Sequence, residues 1–153
     1  MGEHTQAACI STHVTDGELL TVDGLKLRAI YTPGHTNESF SFVLHPEQPE
    51  TVFTGDALSI RGTGRTDFQG GDPAASRSSI VDTLFRLPDE TTVYPGHDYK
   101  GWTASSIGEE KRYNPCIAGK TKANYIDIMR KLNLPNPKMM DVTVPSNVAC
   151  GQA

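Results

Sequence analysis

Three short segments of this chain finish in the same way. AIYTPGHT closes on His35, TVFTGDAL on Asp56, and TTVYPGHD on His97 and Asp98. Each is a β-branched or aromatic run, then a turn built on glycine, then a side chain able to ligate a metal. Proline fixes φ and glycine permits positive φ, so Pro33-Gly34 bends the chain sharply and leaves His35 at a strand tip. In layered sheets, ligands gather outside one edge, supplied by several strand tips. Two imidazoles and a carboxylate with open positions form the donor set of non-haem Fe(II) sites, and the same donors suit zinc. The residue types leave the metal open between these two. For any one site, a side chain that merely caps its turn is an equal reading. The repetition at three tips favours a metal centre.

The stretch GDALSIRGTGRTDFQGGDP follows the second tip. Gly62, Gly64, Gly70 and Gly71 let its backbone fold close over something. Arg61 and Arg65 are suited to binding a carboxylate or fixing the loop, and Asp67 is a natural partner for Arg65. The other histidines, His4, His13 and His45, read as surface residues.

These residues need a scaffold. With 153 residues the chain suits one domain, 1–153. A hydrophobic content of 37% and a net charge of −4 describe an ordinary globular composition. No basic run is present, which argues against nucleic acid and anionic membrane as partners. No stretch approaches the roughly 18 apolar residues of a membrane span. The opening MGEHTQAACI lacks the basic and apolar regions of a signal peptide, so a cytoplasmic protein is expected. Cys9, Cys116 and Cys150 are odd in number and widely spaced. They predict small buried residues in a reducing compartment rather than a disulfide framework.

The first half reads as strands: TQAACI as a short one, ELLTV and LKLRAIY split by the hairpin signal Asp23-Gly24, then SFSFVLH and TVFTG. SRSSIVDTLFRLP predicts a helix with Ile80, Leu84 and Leu87 on one face, stopped by Pro88. TTVYPG is a further strand. TASSIGEEKRYN predicts a polar helix, and KANYIDIMRKLNLP one with Tyr125, Ile128, Met129 and Leu132 at helical spacing. The Pro-rich tail NPKMMDVTVPSNVACGQA predicts an extended arm.

TPGHT, FTGDALSIRGTGRTDFQ, YPGHDYKG and LNLPNPKMMDVTVPSNVACG together resemble the metallo-β-lactamase superfamily, and within it the persulfide dioxygenases. TPGHT and the Gly55-Asp56 pair are superfamily signals, whereas IRGTGRTDFQ and the tail are more specific. The resemblance runs from about residue 17 to the end. It implies an α+β fold, the αββα sandwich of two similar halves. It also implies oxidation of glutathione persulfide by O₂ to sulfite at one Fe(II), with zinc as the alternative metal. By motif, His35 and Asp56 fall on two of the three family iron ligands. His97 falls on a metal-site histidine that lies beside the iron in this family and is assigned a catalytic part. Tyr99 is implied as a catalytic and substrate hydrogen-bond donor, and Arg65 as the residue that orders the substrate pocket. A glyoxalase II-like thioester hydrolase is the alternative within the fold, and an inactive remnant is the alternative outside it.

One part of the pattern is missing. The His-x-His-x-Asp-His run that precedes TPGHT in the superfamily has no counterpart in this chain. The expected fold is therefore an incomplete sandwich lacking its first strands, as in a truncated member. Such a fold exposes part of a sheet face and a strand edge, which invites a homodimer.

Overall fold

The structure is a computed structural model that describes residues 1–5, 7, 9–68 and 70–151. Its centre is a six-stranded sheet: β1 (Leu19–Val22), β2 (Leu25–Tyr31), β3 (Phe40–Leu44), β4 (Thr51–Gly55), β5 (Thr92–Pro95) and β6 (Ser105–Ser106). Spatial order follows chain order throughout. Every pairing is antiparallel except β4 with β5, which is parallel. Asp23 and Gly24 take φ of 48° and 84°, the left-handed pair of a tight hairpin turn whose twist matches its strands.

The strands alternate as half-buried strands do. One face carries Val43, Val52 and Val93 at 2% exposure or less, and they join Ile80, Leu84, Ile107, Tyr125 and Met129 in the core. By register, the opposite face carries Ala29, Phe42, Phe53 and Tyr94 in a row. Phe53 and Tyr94 stack on each other there at 5.9 Å, and each is 42% exposed. The exposure is confined to that end of the face, because Ala29 on the same face is fully buried.

The parallel β4–β5 pair requires a crossover, and the crossover holds the glycine-rich loop followed by helical turns. Asp72 accepts hydrogen bonds from the backbone N–H groups of Ala74 and Ala75, and Pro73 occupies the first position, so α1 (Pro73–Ser78) begins there. The helical run continues through a wide turn at Ser79–Thr83 and a tight one at Leu84–Arg86. Ile80 and Leu84 are fully buried, in agreement with the apolar face read from their spacing.

Three expectations change. The segment 107–113 does form a helix, α2 (Ile107–Tyr113), but it is not a polar surface helix: Ile107 and Glu110 are both fully buried. Their neighbours in space come from remote segments, so local polarity misled. The tail is not extended, because Met140–Val148 forms α4. Pro135 and Pro137 precede that helix, where proline costs nothing, and only Pro145 removes a helical hydrogen bond. The cysteines are not all free: Cys9 and Cys150 form a disulfide with Cα atoms 6.1 Å apart. Their separation of 141 residues hides the pairing until the fold brings the two ends of the chain together. Cys116 remains a free, partly buried thiol, and burial pushes its pKa up. The strand read at TQAACI includes Gln6 and Ala8, which lie outside the described residues.

The helix α3 (Lys122–Arg130) starts at a reciprocal cap between Thr121 and Asn124 and buries Tyr125 and Met129. Among the described residues, no helix is long and apolar enough to cross a membrane.

Candidate metal centre

Strands β2, β4 and β5 run in one direction, since β3 lies antiparallel between β2 and β4. Their C-terminal tips therefore share one edge of the sheet. That edge carries His35, Asp56 and His97.

Backbone chemistry fixes each tip. Gly34 has φ of 134°, and a Cβ there would lie 2.2 Å from the Ser76 Cα, so only glycine fits. Gly55 takes φ of 51° just before Asp56. The Gly96 N–H donates to the Gly55 carbonyl at 2.8 Å, which holds the third tip against the second. Gly64 N–H donates to the Asp56 carbonyl at 2.9 Å and brings the loop across the site.

His35 Nδ1 lies 2.7 Å from the Arg65 backbone carbonyl. A carbonyl only accepts, so Nδ1 carries the hydrogen and the Nε2 lone pair of the neutral ring is free. Nε2 stands 3.6 Å from Asp56 Oδ2. Two donors each about 2.1 Å from one ion lie roughly 3.0–3.6 Å apart at ordinary coordination angles. The pair therefore fits two positions around an iron or zinc ion. The other Asp56 oxygen, Oδ1, accepts from His97 Nδ1–H at 2.7 Å. Among the described residues, no group of three or more His, Cys, Asp or Glu side chains is set to hold one ion. The expected convergence of three strand tips is thus seen as a pair of donors with His97 bonded to one of them.

Arg65 is fully engaged. Its guanidinium donates to both Asp67 oxygens, at 2.6 and 2.7 Å, and to the carbonyls of Pro135 at 2.9 Å and Leu134 at 3.3 Å. It also lies 3.6 Å over the Phe68 ring. Hydrogen bonds from Arg65 hold the Asp67 carboxyl below its usual range, against the opposing effect of burial. Tyr99 is 90% exposed and stacks on His97 with ring centres 6.1 Å apart. Asp98 accepts from the backbone N–H groups of Lys100 and Trp102 at 3.0 and 2.7 Å, which fixes this turn.

A cavity of about 770 Å³ opens over these groups. His35, Asp56, His97, Arg65 and Tyr99 all line it, and residues of the tail, Met140 and Asn147 among them, form the facing wall. Sequence reasoning missed that wall. It also missed Glu110, which anchors the loop below the cavity. Glu110 accepts from the Arg61 N–H at 2.9 Å, Arg61 Nη1 at 2.5 Å, Ser105 Oγ at 2.6 Å and Asn114 Nδ2 at 2.9 Å. Arg61 was readable as a carboxylate binder, but its partner lies 49 residues on and no local pattern marks it.

Residues 6–97 match the metallo-beta-lactamase superfamily. The chain belongs to the metallo-beta-lactamase superfamily. Among its members, the chain is 40% identical over 139 residues to the human (Homo sapiens) mitochondrial persulfide dioxygenase ETHE1, which covers 91% of this chain and 54% of that protein. The crystal structure of ETHE1 from Myxococcus xanthus superposes with a TM-score of 0.92 at 50% identity, over 99% of this chain and 65% of that one. A metallo-beta-lactamase from Staphylococcus aureus superposes with a TM-score of 0.83 at 27% identity, over 93% of this chain and 45% of that one. The chain thus has the metallo-beta-lactamase fold, a mixed sheet with helices, and spans about half the length of the curated relatives it matches.

Proposed function

We propose that the chain carries the iron-dependent persulfide dioxygenase site of this superfamily and acts on glutathione persulfide with O₂, yielding sulfite. The observation that carries this reading is the donor pair of His35 Nε2 and Asp56 Oδ2, 3.6 Å apart on the floor of the cavity. The similarity to persulfide dioxygenases supports it. His35 and Asp56 would hold one Fe(II). When bound, that ion supplies open positions for the persulfide sulfur and O₂.

The protein's own groups do the rest. Arg65 O fixes the His35 ring in the tautomer that leaves Nε2 as donor. His97 holds Asp56 through Nδ1–H and so orients the second donor. Tyr99, stacked on His97 at the cavity rim, offers its hydroxyl as a hydrogen-bond donor to substrate. Arg65 orders the pocket by joining the glycine-rich loop to Leu134 and Pro135 rather than by offering a free cation. Two protein donors hold a divalent ion more weakly than three. Cytoplasmic residence belongs to this proposal, although the human relative is named as mitochondrial.

The test is anaerobic titration of the purified chain with Fe(II), followed by O₂ uptake with glutathione persulfide. Bound iron with substrate-dependent uptake is the expected result. Bound iron without uptake overturns the dioxygenase reading for this chain.

A further inference from the structure

The tail 134–151 is attached to the protein body in an unusual way. Its helix α4 buries none of its residues. Among the described residues, the backbone hydrogen bonds of 139–151 close within the tail itself. At its start, Arg65 grips the carbonyls of Leu134 and Pro135. At its far end, Cys150 is bonded to Cys9. Between these two ties the tail lines the cavity, where Met140, Thr143, Val144 and Asn147 share the lining with His35 and Asp56. A second cavity of about 480 Å³ lies between the tail and the N-terminal segment and also touches Val144 and Asn147. The arm thus has open space on two sides and little packing to hold it. Its position over the site depends on its two ends.

We propose that the Cys9–Cys150 disulfide is a thiol-responsive clasp: a small thiol reduces it and frees the tail from the mouth of the cavity. Cys9 is exposed and Cys150 partly exposed, so solvent thiols reach the bond. A thiolate attacks Cys9 Sγ, the Cys9–Cys150 bond breaks, and Cys150 leaves as a thiolate that takes up a proton. A second thiol then resolves the mixed disulfide. Two small thiols become one disulfide, and the protein disulfide becomes two cysteines. Once cut, the far end of the arm loses the high effective concentration that the cross-link imposed, and among the described residues the Arg65 hydrogen bonds are the polar ties to the body that remain. In a reducing compartment a disulfide is characteristically transient and redox-sensing, in keeping with this role. The identity of the reductant rests on the proposed thiol-derived substrate, whereas the clasp itself rests on the structure alone.

The experiment uses the whole chain and reduced glutathione as the probe. Alkylation under denaturing conditions followed by mass spectrometry counts free cysteines, and hydrogen exchange follows residues 134–151. Before reduction one cysteine, Cys116, is expected to alkylate; after it, all three. Exchange across 134–151 is expected to rise at least about tenfold on reduction, while β3 and β4 stay unchanged. Cys9→Ser and Cys150→Ser should each show the fast exchange without reductant, and Cys116→Ser should match the unaltered chain. Three alkylated cysteines before reduction overturn the proposal. So does a bond that glutathione leaves intact, or an arm whose exchange is unchanged after complete reduction. Failure of the dioxygenase reading appears separately, as absent O₂ uptake with the arm's response preserved.

Discussion

His35 and Arg65 are joined through the backbone: the Nδ1–H of the histidine donates to the arginine's carbonyl at 2.7 Å. The residue whose guanidinium fixes the loop therefore also fixes, through its main chain, which nitrogen of His35 is free to bind. The loop and the donor cannot move independently.

Metal affinity should separate the three tip residues. His97→Ala is expected to lower zinc or Fe(II) affinity by about 10–100-fold, as loss of a group that orients a ligand does. His35→Ala and Asp56→Ala should each cost more than that. Competition titration against a chromophoric chelator ranks them, and a His97 effect as large as that of His35 would place His97 among the direct donors.

Gly64 tests the close approach of loop and site. An added Cβ would stand 2.2 Å from the Asp56 carbonyl and 2.8 Å from His35 Nδ1. Gly64→Ala is expected to destabilise the fold by about 1–3 kcal/mol, as overpacking does, and to weaken metal binding with it. Unchanged urea midpoint and metal affinity would mean that the loop shifts freely.

The buried carboxylate of Glu110 is the anchor of that loop. Removing it strands the Arg61 backbone N–H and leaves the Arg61 guanidinium and Ser105 Oγ to Glu109 and Asn114 Nδ2 to the Gly62 carbonyl. Glu110→Ala is expected to cost about 1–3 kcal/mol in urea unfolding, because Glu109 and the Gly62 carbonyl compensate part of the loss. Glu110→Gln keeps the shape and part of the bonding, so about 0.5–1.5 kcal/mol is expected. A cost under about 1 kcal/mol for the alanine variant would show that the network adds little.

Acid should loosen the loop through Asp67. Hydrogen bonds from Arg65 lower its folded pKa despite burial, so the pair's contribution is present above the unfolded value of about 3.9. It is lost as pH falls through the lowered folded value. Hydrogen exchange of residues 61–68 is expected to accelerate below about pH 4, and Asp67→Asn to show the faster exchange already at neutral pH. Identical pH profiles for the two proteins would exclude the pair as the cause.

The strand tips were legible because each carries its own grammar: a β-branched run, a glycine turn, and a ligand-type side chain at the end. Strand direction then put them on one edge, which alternation alone does not state. The Asp23-Gly24 hairpin and the Ile80 and Leu84 helix face were equally local and equally readable. Glu110 was not, because its four donors come from Arg61, Ser105 and Asn114, and a glutamate among polar neighbours looks solvated. The disulfide was hidden by distance along the chain. The tail misled through its prolines: Pro137 precedes the helix, and α4 tolerates Pro145 within it.

Because the strands lie side by side in the order in which they are made, β1 to β4 can zip together by hairpin closure as each arrives. The one step that must wait is the parallel pairing of β5 across the loop and helices of the crossover. His35 belongs to the early meander, Asp56 opens the crossover, and His97 follows β5. The three donor-type side chains therefore come together only once β5 pairs, and that step is one long chain closure. Pulse-labelled exchange during refolding would show it, with amides of β2 and β3 protected before those of β5.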